Sequence, residues 1–158
     1  MVIIISAIGK IKEKWMKEGI DEYLKRLKPF AKMNIIEHEE EKFAKKSEEI
    51  KKQVMEKESI KLLKSLKDTD CCILLDTSGK EMSSEELASW FENKMISGKS
   101  RFHFFIGGPL GNGETIRKNI KFKLCLSKMT LTHQMARLIL VEQIYRSIKI
   151  IKNEPYHL

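Results

Sequence analysis

Along its whole length this chain alternates short apolar runs with stretches of helical period. That alternation, more than any single residue, limits the folds open to it. Val2 to Ile8 is β-rich and stops at Gly9, which reads as a buried strand. Lys12 to Leu27 carries Trp15, Met16, Ile20, Tyr23, Leu24 and Leu27 at helical spacing, with Pro29 just beyond. Met33 to Ile36 is a short strand. Ser47 is a candidate N-cap with Glu48 and Glu49 in the first turn. Its helix is expected to reach Leu66, with Ile50, Val54, Ile60, Leu63 and Leu66 among its apolar residues. Cys71 to Leu75 is a strand closed by Asp76-Thr77-Ser78-Gly79. Ser83 and Glu86 fit a capping box for a helix that ends near Gly98. Arg101–Ile106 and Phe122–Leu126 are strands with room for a short helix between them. Gln134 to Ile151 is the last helix. The order βαβαβαβ(α)βα predicts an α/β fold, a mainly parallel sheet with helices on both faces. With 158 residues and no repeat or linker, a single domain over 1–158 is expected.

Composition narrows the functional classes. A chain that is 42% hydrophobic and 33% charged has the makings of a core, which excludes global disorder. No apolar run approaches the roughly 20 residues of a membrane helix. The start, MVIIISAIGK, lacks a basic n-region and reads as a strand rather than a signal peptide, so a cytoplasmic location is expected. Cys71, Cys72 and Cys125 form no CxxC pair and no Cys/His cluster of zinc spacing, so no metal site is expected. Adjacent on one strand, Cys71 and Cys72 should point to opposite faces, as buried thiols or, alternatively, with one a nucleophile.

The net charge of +8 favours a polyanionic partner, and its distribution sharpens the point. Residues 37–58 hold eight acids and six lysines, a solvated mixed face. From Arg117 to Lys152 there are nine Lys/Arg and one acid, Glu142, so the positive charge gathers on the last third. A nucleic acid or another phosphate-bearing substrate fits that surface.

The same third carries the candidate site. The run ending at Ile106 opens into Gly107-Gly108-Pro109-Leu110-Gly111-Asn112-Gly113, neither a Walker A loop nor GxGxxG. It is a surface turn or a loop whose backbone meets a cofactor. Leu75-Asp76-Thr77-Ser78-Gly79 is a second strand end of this kind, with Asp76 as a possible turn former. Phe122–Leu126 runs into a third loop at Ser127-Lys128-Met129-Thr130. Parallel α/β sheets bind small molecules at such strand ends. His133, beside the last helix, is structural, or contacts phosphate or relays a proton. Arg137 and Arg146 bind phosphate or are solvated. The last helix is apolar around most of its circumference, through Met135, Leu138, Ile139, Leu140, Val141, Ile144, Tyr145, Ile148, Ile150 and Ile151. It is either a buried core helix or, the reading favoured here, one that packs on the sheet and on a second subunit.

Six segments together resemble one family: IGK at Ile8–Lys10, LLDTSGK at Leu74–Lys80, FIGG at Phe105–Gly108, LSKMTLTHQMAR at Leu126–Arg137, EQIYR at Glu142–Arg146 and PYHL at Pro155–Leu158. The chain resembles the ribosomal large-subunit methyltransferase H family over essentially its full length. That resemblance implies a SPOUT methyltransferase fold with a C-terminal trefoil knot and a homodimer. It also implies use of S-adenosylmethionine to methylate N3 of a pseudouridine in large-subunit ribosomal RNA. By position, it implies cofactor contacts at Leu75, Gly107, Leu126, Ser127, Lys128, Met129, Thr130 and Leu131. His133, Arg137, Tyr156 and His157 match the catalytic, RNA-facing side, joined by Tyr145. Lys128, Arg137 and Arg146 match RNA-binding positions. The chain departs from the family pattern at Thr132, usually proline, at Asn112, usually hydrophobic, and at Leu158, often basic.

Transfer to a ring nitrogen needs positioning and a deprotonated acceptor, which a cation at Lys128, Arg137 or His157 would favour. A transfer-RNA methyltransferase of the same class, or a non-catalytic ribosome-binding protein, would share the basic surface. On these readings a bulky residue at Gly107 should exclude the cofactor and leave the fold intact. Deleting Tyr156–Leu158 should cripple methylation at nearly unchanged melting temperature.

Overall fold

The computed structural model describes residues 1–44, 47–68 and 71–157. Leu158, one of the departures from the family pattern, lies outside them. The strands are β1 (Val2–Ile8), β2 (Lys32–His38), β3 (Cys71–Glu81), β4 (Arg101–Ile106) and β5 (Lys123–Cys125). They form one five-stranded sheet in the order β2-β1-β4-β3-β5, parallel at every pairing. The helices are α1 (Lys14–Leu27), α2 (Glu48–Leu63), α3 (Ser84–Ile96), α4 (Glu114–Asn119) and α5 (His133–Ile151).

Why these segments form these elements follows from burial. Ile3, Ile5, Ala7 and Ile8 of β1 and Phe102, Phe104 and Phe105 of β4 are fully buried or nearly so, because helices cover both faces of the central strands. β2, at an edge, buries no residue completely. On one face α1, α3 and α5 pack over Ile3, Ile5, Ile73, Phe102 and Phe104, with Leu140, Val141 and Ile144 of α5 in the middle. On the other face α2 and α4 pack over Ile8, Leu74 and Phe105 through Leu62, Ile116 and Ile120. Ser47 caps α2 by accepting from the Ile50 N–H at 3.3 Å, and Ser83 and Glu86 form the reciprocal capping box of α3. Among the described residues, no helix is long and apolar enough to cross a membrane.

Three expectations change. α2 ends at Leu63, short of Leu66. β3 does not stop at Leu75. It swings out over Asp76–Gly79 and rejoins at Lys80, so that Leu75 and Lys80 are both register partners of Leu124. At Gly79 the two strands nearly touch, and a Cβ there would lie 2.7 Å from Leu124 backbone atoms. That approach requires glycine. In α2 the buried stripe is Val54, Glu58, Ser59 and Leu62, whereas Ile60 is 50% exposed. The polar pair faces inward because it holds loop backbone beside the site.

Candidate functional site

The bulge of β3 after Leu75 lies beside the carboxyl ends of β4 and β5, and these segments with the loops that follow enclose a cleft of about 830 Å³. Its floor is apolar: Leu75, Ile106, Leu124, Leu126 and Leu131 line it, with Met16 of α1. Its rim is backbone-rich, built from Gly107 to Asn112, from Ser127 and from Met129 to Thr132. Apolar walls with a few placed polar groups suit an aromatic heterocycle carrying a polar tail.

Each loop is held by its own contacts. In the third loop the Met129 N–H donates to Ser127 Oγ at 2.9 Å and Cys125 Sγ to the Ser127 carbonyl at 3.1 Å. Thr132 caps α5 by accepting from the Met135 N–H at 3.1 Å, a bond that proline at this position lacks. The glycine loop rests on α2: the Gly113 N–H donates to Ser59 Oγ at 2.9 Å and the Glu114 N–H to Glu56. Glu58 lies beneath it, only 2% exposed, and accepts from the Glu41 N–H at 3.0 Å; burial pushes its carboxyl up from the ordinary value.

Asp76 binds the first loop to the second. Its side chain is 1% exposed. It accepts from the Ser78 N–H (2.9 Å), Ser78 Oγ (2.6 Å), Asn112 Nδ2 (2.9 Å) and Arg117 Nε (2.8 Å). Burial works against this charge, but the bonds from Ser78, Asn112 and Arg117 outweigh it and hold the carboxyl at about 2. Asn112 also donates to the Leu75 carbonyl at 2.8 Å. The residue that departs from the family's hydrophobic pattern is thus a buried staple between two loops of the cleft.

These contacts alter the reading of Gly107. A Cβ there would lie 2.5 Å from Asn112 Oδ1 and 2.9 Å from the Gly111 carbonyl oxygen. A bulky residue would break the loop before it reached a ligand, so the expectation of an intact fold does not hold.

The positions matched by resemblance divide into groups. Leu75, Gly107, Leu126, Ser127, Met129, Thr130 and Leu131 all line the cleft. Lys128 does not. Its side chain is 82% exposed and lies 3.7 Å from Glu81, so any contact it makes in the cleft falls to its backbone. His133 lines the cleft; burial lowers its pKa below the ordinary histidine value, and its ring packs over Gly9.

Arg137 is a correction. Its side chain is only 1% exposed, at the bottom of a cleft shared with Lys10 and Lys17, so it is not a solvated surface cation. Its guanidinium pairs with Glu37 at 2.6 Å and donates to the Gly9 carbonyl at 2.9 Å, closing the ends of β1 and β2. Burial pulls its pKa down and Glu37 pushes it back.

The tail is ordered. Tyr156 donates to Glu142 at 3.1 Å, shares a 3.1 Å bond with Tyr23, and meets Tyr145 edge-on at 4.8 Å. Burial and these partners raise its pKa, keeping the phenol protonated. Arg146 pairs with Glu142 at 2.6 Å, lies over the Tyr156 ring and contacts His157 Nδ1 at 3.2 Å. His157 Nε2 lies 2.6 Å from Glu85. Deletion therefore removes packed structure, contrary to the expectation of an unchanged melting temperature. Arg146 also sits roughly 20 Å along α5 from His133, at ~1.5 Å per residue. Within one chain the tail cluster and the cleft are separate.

A family model described as a predicted SPOUT methyltransferase matches residues 1–157. The chain belongs to the SPOUT methyltransferase family. It is 48% identical over 158 residues to the ribosomal RNA large subunit methyltransferase H of Alkaliphilus oremlandii, covering 99% of both chains. It is 49% identical to the protein of that name from Acetivibrio thermocellus over 158 residues, and 44% to that of Clostridium perfringens over 160, again with 99% of each chain covered. The parallel sheet and two-sided helical layers are those expected of a SPOUT enzyme. The strand order is compatible with the implied knot.

Sequence reasoning did not find Arg117 or the roles of Asn112, Ser59 and Glu58. The one available signal was the weak pairing of an Asp after an apolar strand with an Arg on the following short helix. Among the described residues, no group of His, Cys, Asp and Glu has the makings of a metal site.

Proposed function

We propose that this chain is an S-adenosylmethionine-dependent methyltransferase of large-subunit ribosomal RNA, acting on N3 of a pseudouridine as a cytoplasmic homodimer. The observation that carries the reading is the cleft: three strand ends, apolar walls and a backbone rim at the positions expected to hold the cofactor. The names of the full-length relatives supply the substrate class.

The residues present fit S-adenosylmethionine, which when bound supplies an electrophilic methyl group on sulfur. Leu75, Ile106, Leu124, Leu126 and Leu131 would exclude water from its adenine, and peptide groups of the third loop would offer donors and acceptors to the ring edge. The acceptor nitrogen would lose its proton as the N–C bond forms and the methyl–sulfur bond breaks, with the demethylated thioether as leaving group. Two side chains lining the cleft could take the proton: His133, whose neutral ring burial favours at the cost of basicity, and Glu13. The net charge of +8 favours association with RNA, with the exposed Lys128 beside the cleft available to a phosphate.

The separation of the tail from the cleft supports a dimer. Tyr156 and His157 would reach a reaction centre only as the tail of one subunit against the cleft of the other. Sedimentation at micromolar concentration should give a dimer, and an active monomer would contradict this. Methyl incorporation from labelled cofactor into ribosomes, free ribosomal RNA and transfer RNA, with the product nucleotide mapped by mass spectrometry, tests the activity. Label confined to transfer RNA, or to no RNA, would overturn it.

A further inference from the structure

We infer that Arg117, held by Asp76, reads the carboxylate of the cofactor's amino-acid portion, a role that rests on the cleft being the S-adenosylmethionine site. Of the described residues lining the cleft, Arg117 is the only lysine or arginine. His133, the other basic group there, is kept neutral by burial. A ligand that carries one carboxylate therefore meets one permanent cation.

The placement of that cation is built. Arg117 stands on α4, whose first turn is anchored on α2 through the Gly113 N–H to Ser59 and the Thr115 N–H to Glu56 at 3.2 Å. Its Nε donates to Asp76 Oδ2 at 2.8 Å. Asp76 is in turn held by Ser78 and Asn112, so the guanidinium is pinned from one side. Among the described residues nothing bonds its two terminal nitrogens, and its side chain remains 38% exposed. An arginine fixed through Nε presents its remaining donors as a planar fork, the geometry that matches a carboxylate.

Asp76 itself cannot take the ligand's ammonium group, because its carboxylate is buried and saturated. Its charge offsets part of the attraction to an incoming anion. Fork geometry rather than net charge then carries the contact, and Asp76 acts as a positioning residue. The alternative use of Arg117, a phosphate of the RNA, fits less well, since the apolar floor of the cleft that Arg117 lines suits a nucleoside, and the exposed Lys118 beside it on α4 is not among the described residues that line the cleft.

Two ligands that differ only in the amino-acid portion test this. S-adenosylhomocysteine has it; 5′-methylthioadenosine keeps the adenosine and the sulfur and lacks it. By calorimetry, Arg117→Ala should weaken S-adenosylhomocysteine about 10-fold and leave 5′-methylthioadenosine unchanged, as expected for one partly exposed charge-assisted contact. Arg117→Lys should recover part of the loss. Equal weakening of both ligands would show that Arg117 only shapes the loop and would overturn the inference, as would no weakening of either. Failure of the unaltered protein to bind either ligand would instead remove the cofactor assignment itself.

Discussion

Replacing Asp76 with asparagine removes the charge at the junction of two loops and keeps the shape. In the folded protein the carboxyl is held at about 2, against an ordinary 3.8. The folded value is the lower one, so the ionised carboxylate stabilises the fold fully above about pH 4 and loses that contribution as pH falls toward 2. A shift of this size is worth about 2 kcal/mol at neutral pH. Asparagine also turns an NH2 toward donors that the carboxylate had accepted from, Asn112 Nδ2 or Arg117 Nε. The total loss at pH 7 should therefore reach about 3 kcal/mol. Because wild type forfeits roughly half of the ionic part by pH 3, the gap between the two proteins should close by about 1 kcal/mol there. Urea unfolding at pH 7, 5 and 3, at one protein concentration, measures it. A gap that is the same at pH 7 and pH 3, or one below about 1 kcal/mol at pH 7, would refute the claim that this carboxylate is a charged staple.

Gly107→Val should lose cofactor affinity and melting temperature together, because its side chain meets Asn112 and Gly111 first; a variant of full thermal stability that fails to bind would contradict this. Arg137→Leu should cost about 3 kcal/mol in urea unfolding by stranding Glu37 and the Gly9 carbonyl, and a loss under about 1 kcal/mol would mean that the pair is not structural. Deleting residues 156–158 should lower the melting temperature by several degrees, at about 2–4 °C per kcal/mol for a chain of this size. The same deletion should abolish single-turnover methylation of ribosomes while S-adenosylhomocysteine still binds; full turnover would show the tail to be dispensable.

What could be read from the chain depended on how local the cause was. Capping is local: Ser83 with Glu86, and Ser47 with the first turn it precedes, act within four residues, so both were legible. The parallel sheet was legible because strands buried on both faces leave continuous apolar runs such as Val2–Ile8 and Arg101–Ile106. The three strand-end loops were legible for the related reason that glycine and polar residues interrupt those runs. The basic face of the last third is a matter of composition, and resemblance supplied the family.

Other features arose only when distant segments met. The continuation of β3 past Asp76 depends on the backbone of Leu124, to which Gly79 must come close. Whether Arg137 faced RNA or the interior turned on Glu37, a hundred positions away, and on the carbonyls at the end of β1. The burial of Glu58 and Ser59, in place of Ile60, follows from the N–H groups of Glu41 and Gly113, which needed acceptors. The Asp76–Asn112–Arg117 network joins three separate stretches of chain. An unpaired buried polar group is costly, so partners for it are chosen by proximity in the folded molecule, and no periodicity along the chain records that choice. Hydrophobic pattern and capping determined the layers; the pairing of buried charge and backbone across those layers, decided only in three dimensions, determined how the cleft is held open.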